Sequence, residues 1–172
     1  MELQEINRVL SKESFQVKEM LSDGNCLYRA IADQMNLSEF LWPADMGGSK
    51  KSSSVTFIEV RHHTATFLRE HATEFAPFVG MEPDSHEFLE YCGKVESPIA
   101  SEWGGQVELR AIASCLECPI YVYDSTTPLL VMGEEFEASS KKPLRVTFHR
   151  HYFSLGEHYN SVEHMETDEC CR

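Results

Sequence analysis

The stretch Ser22–Arg29, with the sequence SDGNCLYR, places a cysteine where a polar turn leads into a helix. Ser, Asp, Gly and Asn in succession are typical of a turn, because each suits a tight change of chain direction. From Cys26 to Met35, apolar residues recur at steps of three and four, which predicts a helix with one apolar face. The sequence therefore predicts a thiol in the first turn of a helix.

A thiol at that position suits nucleophilic catalysis. The N–H groups of a first helical turn and the helix dipole favour an anion, so we expect a lowered pKa for Cys26 and a nucleophilic thiolate. The same N–H groups suit the oxyanion of an acyl intermediate, and Gly24 lets the backbone approach a substrate closely. Core packing explains Cys26 equally well, since free cysteines are often buried, and Asp23 is also a common turn former or N-cap.

A cysteine nucleophile needs a base, and the base needs an orienting group. Of the eight histidines, His158 stands at the entrance of a late predicted strand and Asn160 follows two residues later, so both side chains share one face. An amide there accepts from the imidazole and fixes its tautomer, which gives the Cys-His-Asn variant of the catalytic triad. A histidine ahead of a strand is more often structural, so these residues alone leave both interpretations open.

The composition describes one globular domain and excludes several function classes. The 172 residues are 42% hydrophobic and 25% charged, which is ordinary for a domain of about 100–200 residues. The net charge of −13, with few and scattered basic residues, argues against nucleic-acid binding and favours a basic partner. The apolar stretches are far shorter than the about 20 residues of a membrane helix, so we expect no membrane association.

The six cysteines are irregularly spaced, and the chain lacks the basic-then-apolar start of a signal peptide. We therefore expect reduced thiols and a cytoplasmic protein, with the nucleus left open. Cys115 and Cys118 have CxxC spacing, but no second pair follows at the distance that a zinc site needs. Phosphate-binding glycine motifs do not occur. We expect no metal, no cofactor and, since nothing demands a dimer, a monomer.

Predicted helices come mostly first and predicted strands mostly last. This order indicates an α+β fold, with helices packed around a small central mixed or antiparallel sheet. One helix is predicted to begin at Pro83-Asp84, where Asp84 and Glu87 have capping-box spacing. The other predicted helices are Leu3–Leu10, Phe57–His71 and Gln106–Glu117, and the predicted strands are Val17–Met20, Ile120–Tyr123, Leu129–Met132, Arg145–His149 and Tyr159–His164.

The chain divides into three predicted parts. Residues 1–14 form an N-terminal extension with a short helix, residues 15–164 the main domain, and residues 165–172 a polar C-terminal tail. Within the domain, residues 42–54 (WPADMGGSKKSSS) are rich in Gly, Ser and Lys, which is typical of a surface loop.

Three blocks of sequence stand out, in the order Asp23–Tyr28 (DGNCLY), Trp103–Leu109 (WGGQVEL) and Gly156–Val162 (GEHYNSV). Together they resemble the motif blocks of the OTU (ovarian tumour) cysteine deubiquitinases, most closely the subgroup with an N-terminal helical extension. The resemblance runs from about Phe15 to His164. It implies an OTU-type cysteine protease fold, with residues 15–164 as the catalytic domain.

The resemblance also implies a role for each matched residue. Cys26 is expected to attack the carbonyl of the ubiquitin C-terminal glycine. His158 is expected to take the thiol proton and then protonate the leaving lysine amine, with Asn160 orienting it. Asp23 is expected either to shape the turn or to aid the triad. The backbone expected to form the oxyanion hole is that of Gly24, Asn25 and Cys26. The residues expected to line or support the cleft near the substrate tail are Trp103, Gly104 and Gly105.

The activity that this resemblance implies is deubiquitination, the thiol-dependent hydrolysis of the peptide or isopeptide bond after the ubiquitin C-terminal glycine. The expected partners are ubiquitin and polyubiquitin chains. Two alternatives stay open: a ubiquitin-binding module without turnover, and a cysteine protease for a ubiquitin-like protein. Loops of variable length select chain linkage in this family, so the long segment 42–54 leaves the linkage preference open.

Overall fold

The computed structural model describes residues 2–40, 42, 54–99, 103–139, 141–151 and 156–166. Within these residues lie six α-helices, five strands and three short 3-10 turns at Ser11–Glu13, Ala76–Val79 and Glu134–Phe136. The helices are α1 (Glu2–Leu10), α2 (Cys26–Leu37), α3 (Phe57–Glu70), α4 (Ala72–Phe75), α5 (His86–Glu96) and α6 (Gln106–Leu116). The strands are β1 (Phe15–Lys18), β2 (Ile120–Asp124), β3 (Leu130–Met132), β4 (Leu144–His149) and β5 (His158–His164). The predicted α+β class is confirmed.

The five strands form one mixed sheet in the order β1-β5-β4-β2-β3. Only β2 and β4 pair in parallel within this sheet; the other three pairs are antiparallel. The first strand pairs with the last, in a register that sets Phe15 opposite His164. This pairing brings the segment that precedes Cys26 beside the strand that begins at His158.

Alternating residues of the strands face two different layers. On β2, Ile120 and Val122 point into the main core, which the sheet forms with the helices α2, α3, α5 and α6. Tyr121 and Tyr123 point to the opposite face, where α1 packs with Ile6 and Leu10. Helix α2 lies directly on β4 and β5, so the N-terminus of α2 is held at the sheet. The α1 helix predicted over Leu3–Leu10 thus forms and covers the second face.

Two predicted boundaries were wrong. Helix α5 begins at His86, with Ser85 as N-cap accepting from the Phe88 N–H at 3.1 Å, because a turn closed by Ser85 N–H to the Glu82 carbonyl occupies the expected start. Strand β1 covers Phe15–Lys18 and not Val17–Met20, because the Asn160 side chain takes the Met20 N–H at 2.7 Å. Among the described residues, no helix combines the length and apolar character needed to cross a membrane.

The segment 42–54, predicted to be a surface loop, lies outside the described residues except for its ends. Trp42 is half-buried, and its ring packs against His63 of α3 with centroids 4.1 Å apart. The predicted tail likewise lies almost wholly outside the described residues. The division of the chain into three parts therefore stays a prediction.

Candidate active site

A hydrogen-bonded turn sets Cys26 at the start of α2. The Asp23 side chain accepts the Asn25 N–H at 3.0 Å, and the Asp23 carbonyl accepts the Cys26 N–H at 3.2 Å. The helical ladder then begins with the Arg29 N–H, which donates to the Asn25 carbonyl at 2.9 Å. The structure thus places the thiol in the first helical turn, as the turn chemistry predicts.

Asp23 is itself held by a cation from the next turn of the helix. The Arg29 guanidinium binds the carboxylate with Nη2 2.7 Å from Oδ2, and this ion pair lowers the pKa of Asp23 below its ordinary value. Asp23 therefore stays an acceptor for the Asn25 N–H. Of the two roles left open for Asp23, its contacts are those of a residue that shapes the turn.

Arg61, on α3, grips the same turn from the core. Its side chain is fully buried. Nε donates to Asn25 Oδ1 at 2.7 Å and Nη2 donates to the Gly24 carbonyl at 2.8 Å. Nη1 donates to the Val95 carbonyl at 2.6 Å, and the guanidinium lies 4.0 Å from the centre of the Tyr28 ring. One buried fork therefore ties the turn to two helices.

His158 is the first residue of β5 and is 3% exposed. Its Nε2 lies 3.0 Å from Asn160 Oδ1. The same Oδ1 accepts the Met20 N–H at 2.7 Å, and because a backbone N–H can only donate, the amide atom facing it is the oxygen. Nε2 is then the nitrogen that carries the hydrogen. In this tautomer the imidazole takes up a further proton at Nδ1.

The nucleophile and base candidates meet at the start of β5. The Cys26 thiol is 8% exposed, and it receives a hydrogen bond from the backbone N–H of Tyr159, the residue after His158. The N-terminus of α2 therefore lies against the first residues of β5, the strand that carries His158 and Asn160. That Cys26, His158 and Asn160 act as a catalytic set stays a prediction.

The expected lowering of the Cys26 pKa was wrong. Burial raises the pKa of the Cys26 thiol, and the backbone N–H groups of Tyr159 and Leu27 offset this only in part. Burial also lowers the pKa of His158, against the hydrogen bonds to Asn160 Oδ1 and to the Met20 backbone, which raise it. Both shifts favour the uncharged forms, a thiol at Cys26 and a neutral imidazole at His158. A neutral imidazole is the form that acts as a general base.

Two N–H groups of the expected oxyanion hole already donate hydrogen bonds within the turn. The Asn25 N–H is bound to the Asp23 carboxylate and the Cys26 N–H to the Asp23 carbonyl. An oxyanion at these positions has to compete with Asp23 for both donors. The assignment of Gly24, Asn25 and Cys26 to the oxyanion hole stays a prediction.

The second motif block supports α2 through its glycines. A Cβ at Gly104 would stand 2.4 Å from Leu27 Cδ2, so only glycine allows this segment to approach the start of α2. Gly105 precedes α6, and its N–H donates to Glu108 Oε2 at 2.7 Å. Trp103 is 52% exposed and is available to line a cleft. Lining of the substrate cleft by Trp103, Gly104 and Gly105 stays a prediction.

A cavity of about 540 Å³ lies beside the base candidate. Its apolar lining includes Leu129 and Leu130, both exposed, and its acidic lining includes Asp124 and Glu157. A larger cavity, about 1020 Å³, lies at the far end of α2 and is lined by none of the predicted site residues. The smaller cavity is therefore the one that bears on the candidate chemistry.

Two residues of this site escaped the sequence analysis. Arg61 sits in a predicted helix among polar neighbours, and helical periodicity carries no signal that separates a buried arginine from an exposed one. His149 was expected only to flank a strand end, yet it is fully buried on the same face of the sheet as Asn160. The local sequence patterns of β4 and β5 do not fix the register in which these strands pair, and that register places His149 near Asn160.

The other described cysteines, Cys92, Cys115 and Cys118, belong to the main core. Cys115 and Cys118 are buried, and the Cys118 thiol donates to the Lys142 carbonyl at 3.3 Å. In the described ranges, no three His, Cys, Asp or Glu side chains are grouped as a metal ion requires.

Comparison with known proteins points in one direction. The family described as OTU-like cysteine protease matches residues 21–159. The human protein named Deubiquitinase OTUD6B is 34% identical over 170 residues, covering 96% of this chain and 52% of that protein. The fission yeast protein named Ubiquitin thioesterase otu2 is 29% identical, covering 94% of this chain and 49% of its own length. The chain thus spans about half the length of the curated relatives it matches.

Solved structures agree on the fold. The OTU domain of OTUD1 superimposes with a TM-score of 0.65 at 20% identity, covering 93% of each chain. An OTU domain solved in complex with ubiquitin gives a TM-score of 0.57 at 20% identity, covering 86% of this chain and 69% of that one. The predicted OTU-type arrangement of helices around a central sheet is confirmed.

Proposed function

Because the chain belongs to the OTU-like cysteine protease family, we propose that it is a deubiquitinase that cleaves after the ubiquitin C-terminal glycine. The observation that carries this proposal is the hydrogen-bonded set at the start of β5, where the Cys26 thiol meets the backbone of Tyr159 and His158 is held by Asn160. The names of the relatives, a deubiquitinase and a ubiquitin thioesterase, support the substrate class.

The chemistry begins from the neutral pair. His158 takes the thiol proton at Nδ1 as Cys26 Sγ attacks the glycine carbonyl, which forms the S–C bond and a tetrahedral oxyanion. The oxyanion collapses, the C–N bond to the lysine breaks, and His158 returns the proton to the departing amine. Water, deprotonated by the same imidazole, then hydrolyses the thioester and regenerates the thiol. Asn160 keeps Nε2 protonated throughout, so that Nδ1 remains the working nitrogen.

The substrate side of the proposal rests on charge and shape. The ubiquitin tail carries arginines and ends in two glycines. Glu157, which precedes His158, lines the smaller cavity together with Leu129 and Leu130 and suits a basic tail with apolar neighbours, whereas Asp124 in the same lining is paired with Arg150 at 3.0 Å. The close approach of Gly104 to Leu27 sets the second motif block next to the helix that begins at Cys26. The enzyme is proposed to act as a monomer in the cytoplasm, where its catalytic thiol stays reduced.

The direct test is labelling with ubiquitin that carries a C-terminal vinyl methyl ester. We expect the parent protein to form a covalent 1:1 adduct, Cys26→Ala to form none, and His158→Ala to react much more slowly. Cys92→Ala is the matched control: Cys92 is fully buried and its pKa is raised to about 11, mainly by burial, so its loss should leave labelling unchanged.

Each other outcome selects a different function. A parent protein that binds ubiquitin without forming an adduct is a binding module. A parent protein that neither binds nor reacts, yet reacts with the same electrophile on a ubiquitin-like protein, is a protease for that protein. An adduct that survives Cys26→Ala would show that another cysteine is the nucleophile.

A further inference from the structure

Four polar side chains lie on one face of the sheet beside the candidate base. The register of β4 and β5 sets His149 directly opposite His158 and Thr147 directly opposite Asn160. His149, Thr147 and Asn160 are fully buried. Buried polar groups of this kind are held by hydrogen bonds, because leaving one unpaired is costly.

Asn160 accepts hydrogen bonds at one end of its amide and donates at the other. Its Oδ1 accepts from the Met20 N–H and from His158 Nε2. Its Nδ2 lies 3.2 Å from His149 Nε2, and an amide NH2 can only donate. His149 Nε2 must therefore be an acceptor, and the hydrogen of a neutral His149 must be on Nδ1.

Thr147 is compatible with this assignment. Its Oγ1 lies 2.8 Å from His149 Nε2, and a hydroxyl either donates or accepts. If His149 Nε2 carried the hydrogen, the Thr147 hydroxyl could accept it. The Asn160 Nδ2 group, however, would face a second donor at 3.2 Å. The tautomer with the hydrogen on Nδ1 satisfies both neighbours.

We propose that His149 is a positioning residue, which accepts the Asn160 amide hydrogen and, together with the Met20 N–H that binds Oδ1, keeps the Asn160 oxygen turned toward His158. With the amide reversed, the NH2 group would face His158 Nε2 and favour the tautomer with the hydrogen on Nδ1. That tautomer cannot take the Cys26 proton at Nδ1. The orientation of one buried amide thus decides whether His158 is a base, a consequence that rests on the proposed catalytic roles of Cys26 and His158.

The surroundings of His149 keep it able to accept. Burial lowers the pKa of His149 to about 4, so the ring is neutral at neutral pH. The charged or titratable groups that act on it are Glu2, Asp124, Glu19 and His158. The three carboxylates favour protonation, and burial outweighs them.

The test compares three single variants in hydrolysis of a ubiquitin C-terminal fluorogenic amide. His149→Met removes the acceptor, and we expect kcat to fall at least about tenfold at unchanged KM, within the roughly 10²–10⁴ that a general base contributes. His149→Gln offers an amide oxygen as acceptor and should restore most of the lost kcat. Thr147→Val is the control, because Thr147 is equally buried and its hydroxyl bonds His149, not the Asn160 amide; it should leave kcat within about threefold of the parent, a small fraction of that base contribution.

A double-mutant cycle separates orientation from packing. In an Asn160→Asp background the side chain has no NH2 end, so His149→Met should change kcat by a much smaller factor than in the parent. The same factor in both backgrounds would overturn the proposal. So would a Thr147→Val loss as large as that of His149→Met, or a His149→Met variant with parental kcat.

Nitrogen NMR of the histidines tests the inference without any activity. In the parent protein we expect the hydrogen of His149 on Nδ1 and that of His158 on Nε2. A parent His149 with its hydrogen on Nε2 would overturn the proposal, even if His149→Met does not fold. If the parent shows both expected tautomers but forms no ubiquitin adduct, the positioning stands and the proposed function fails.

Discussion

At the scale of single residues, the nucleophile is held as much by its neighbours' hydrogen bonds as by its helix. Asp23 and Arg61 fix the turn before Cys26 from opposite sides, one through a backbone N–H and the other through a carbonyl and an amide oxygen. Arg61 makes these bonds while fully buried. A charged group in that position is costly unless its donors are satisfied, and here the turn and Val95 supply the acceptors.

We predict that Arg61→Met lowers both stability and activity. The substitution leaves the Gly24 and Val95 carbonyls and the Asn25 amide oxygen without their charged donor, and hydrogen bonds to charged groups are worth about 1.5–3 kcal/mol each. We expect the free energy of unfolding to fall by at least about 2 kcal/mol in urea denaturation. Labelling by the ubiquitin vinyl ester should slow markedly even under conditions where the variant is folded.

Arg110→Met is the matched control. Arg110 pairs with Glu135 at 2.6 Å on the surface, where an ion pair contributes about 0–1 kcal/mol. If Arg61→Met were no more destabilising than Arg110→Met and labelled at the parental rate, the proposed grip of Arg61 on the turn would be wrong.

At the scale of elements, α5 shows how a helix start depends on one hydroxyl. Asp84 and Glu87 have capping-box spacing, yet Ser85 is the residue whose side chain accepts the Phe88 N–H. The cap is displaced by one position because the Ser85 N–H closes a turn with the Glu82 carbonyl. Sequence spacing alone cannot distinguish two capping residues that are adjacent.

We predict that Ser85→Ala costs about 1 kcal/mol of unfolding free energy, the usual value of a lost N-cap. Asp84→Ala should stay within about 0.5 kcal/mol of the parent, as exposed substitutions do. Urea unfolding of the two variants side by side decides the matter. If Asp84→Ala lowered the free energy of unfolding more than Ser85→Ala, Asp84 would be the N-cap, as the sequence spacing suggests.

The same elements show why part of the site was predictable. Cys26 and the His158–Asn160 pair follow from local patterns: a turn before a helix, and alternation along a strand. Arg61 and His149 do not, since Arg61 meets Asn25 across 36 residues and His149 meets Asn160 across a strand pairing. Burial also reversed the expected pKa shift of Cys26, because the depth of a helix start in the core is a property of the assembled fold.

At the scale of the whole molecule, the net charge of −13 sets a long-range field. Such a field accelerates the encounter with a basic partner and is screened by salt over about 8 Å at physiological ionic strength. Glu157, exposed in the lining of the smaller cavity, places part of this charge where the proposed substrate tail arrives.

We predict that kcat/KM for a ubiquitin substrate falls roughly two- to tenfold between about 0.05 and 0.5 M salt. Glu157→Gln should flatten this dependence. Glu70→Gln removes an equally exposed charge that does not line the cavity, and should flatten it less. A profile that is flat in the parent protein would exclude electrostatic steering while leaving the catalytic assignment untouched.

The pairing of the first strand with the last has a consequence for protein synthesis. Cys26 is translated long before the strand that carries His158 and Asn160 and that pairs with β1. A ribosome must therefore release more than 130 further residues after Cys26 before base and nucleophile can meet, counting from 26 to 158. Until then the nascent chain holds a cysteine without its partner. The proposed Cys26–His158 chemistry therefore has to wait until β5 has taken its place in the sheet between β1 and β4.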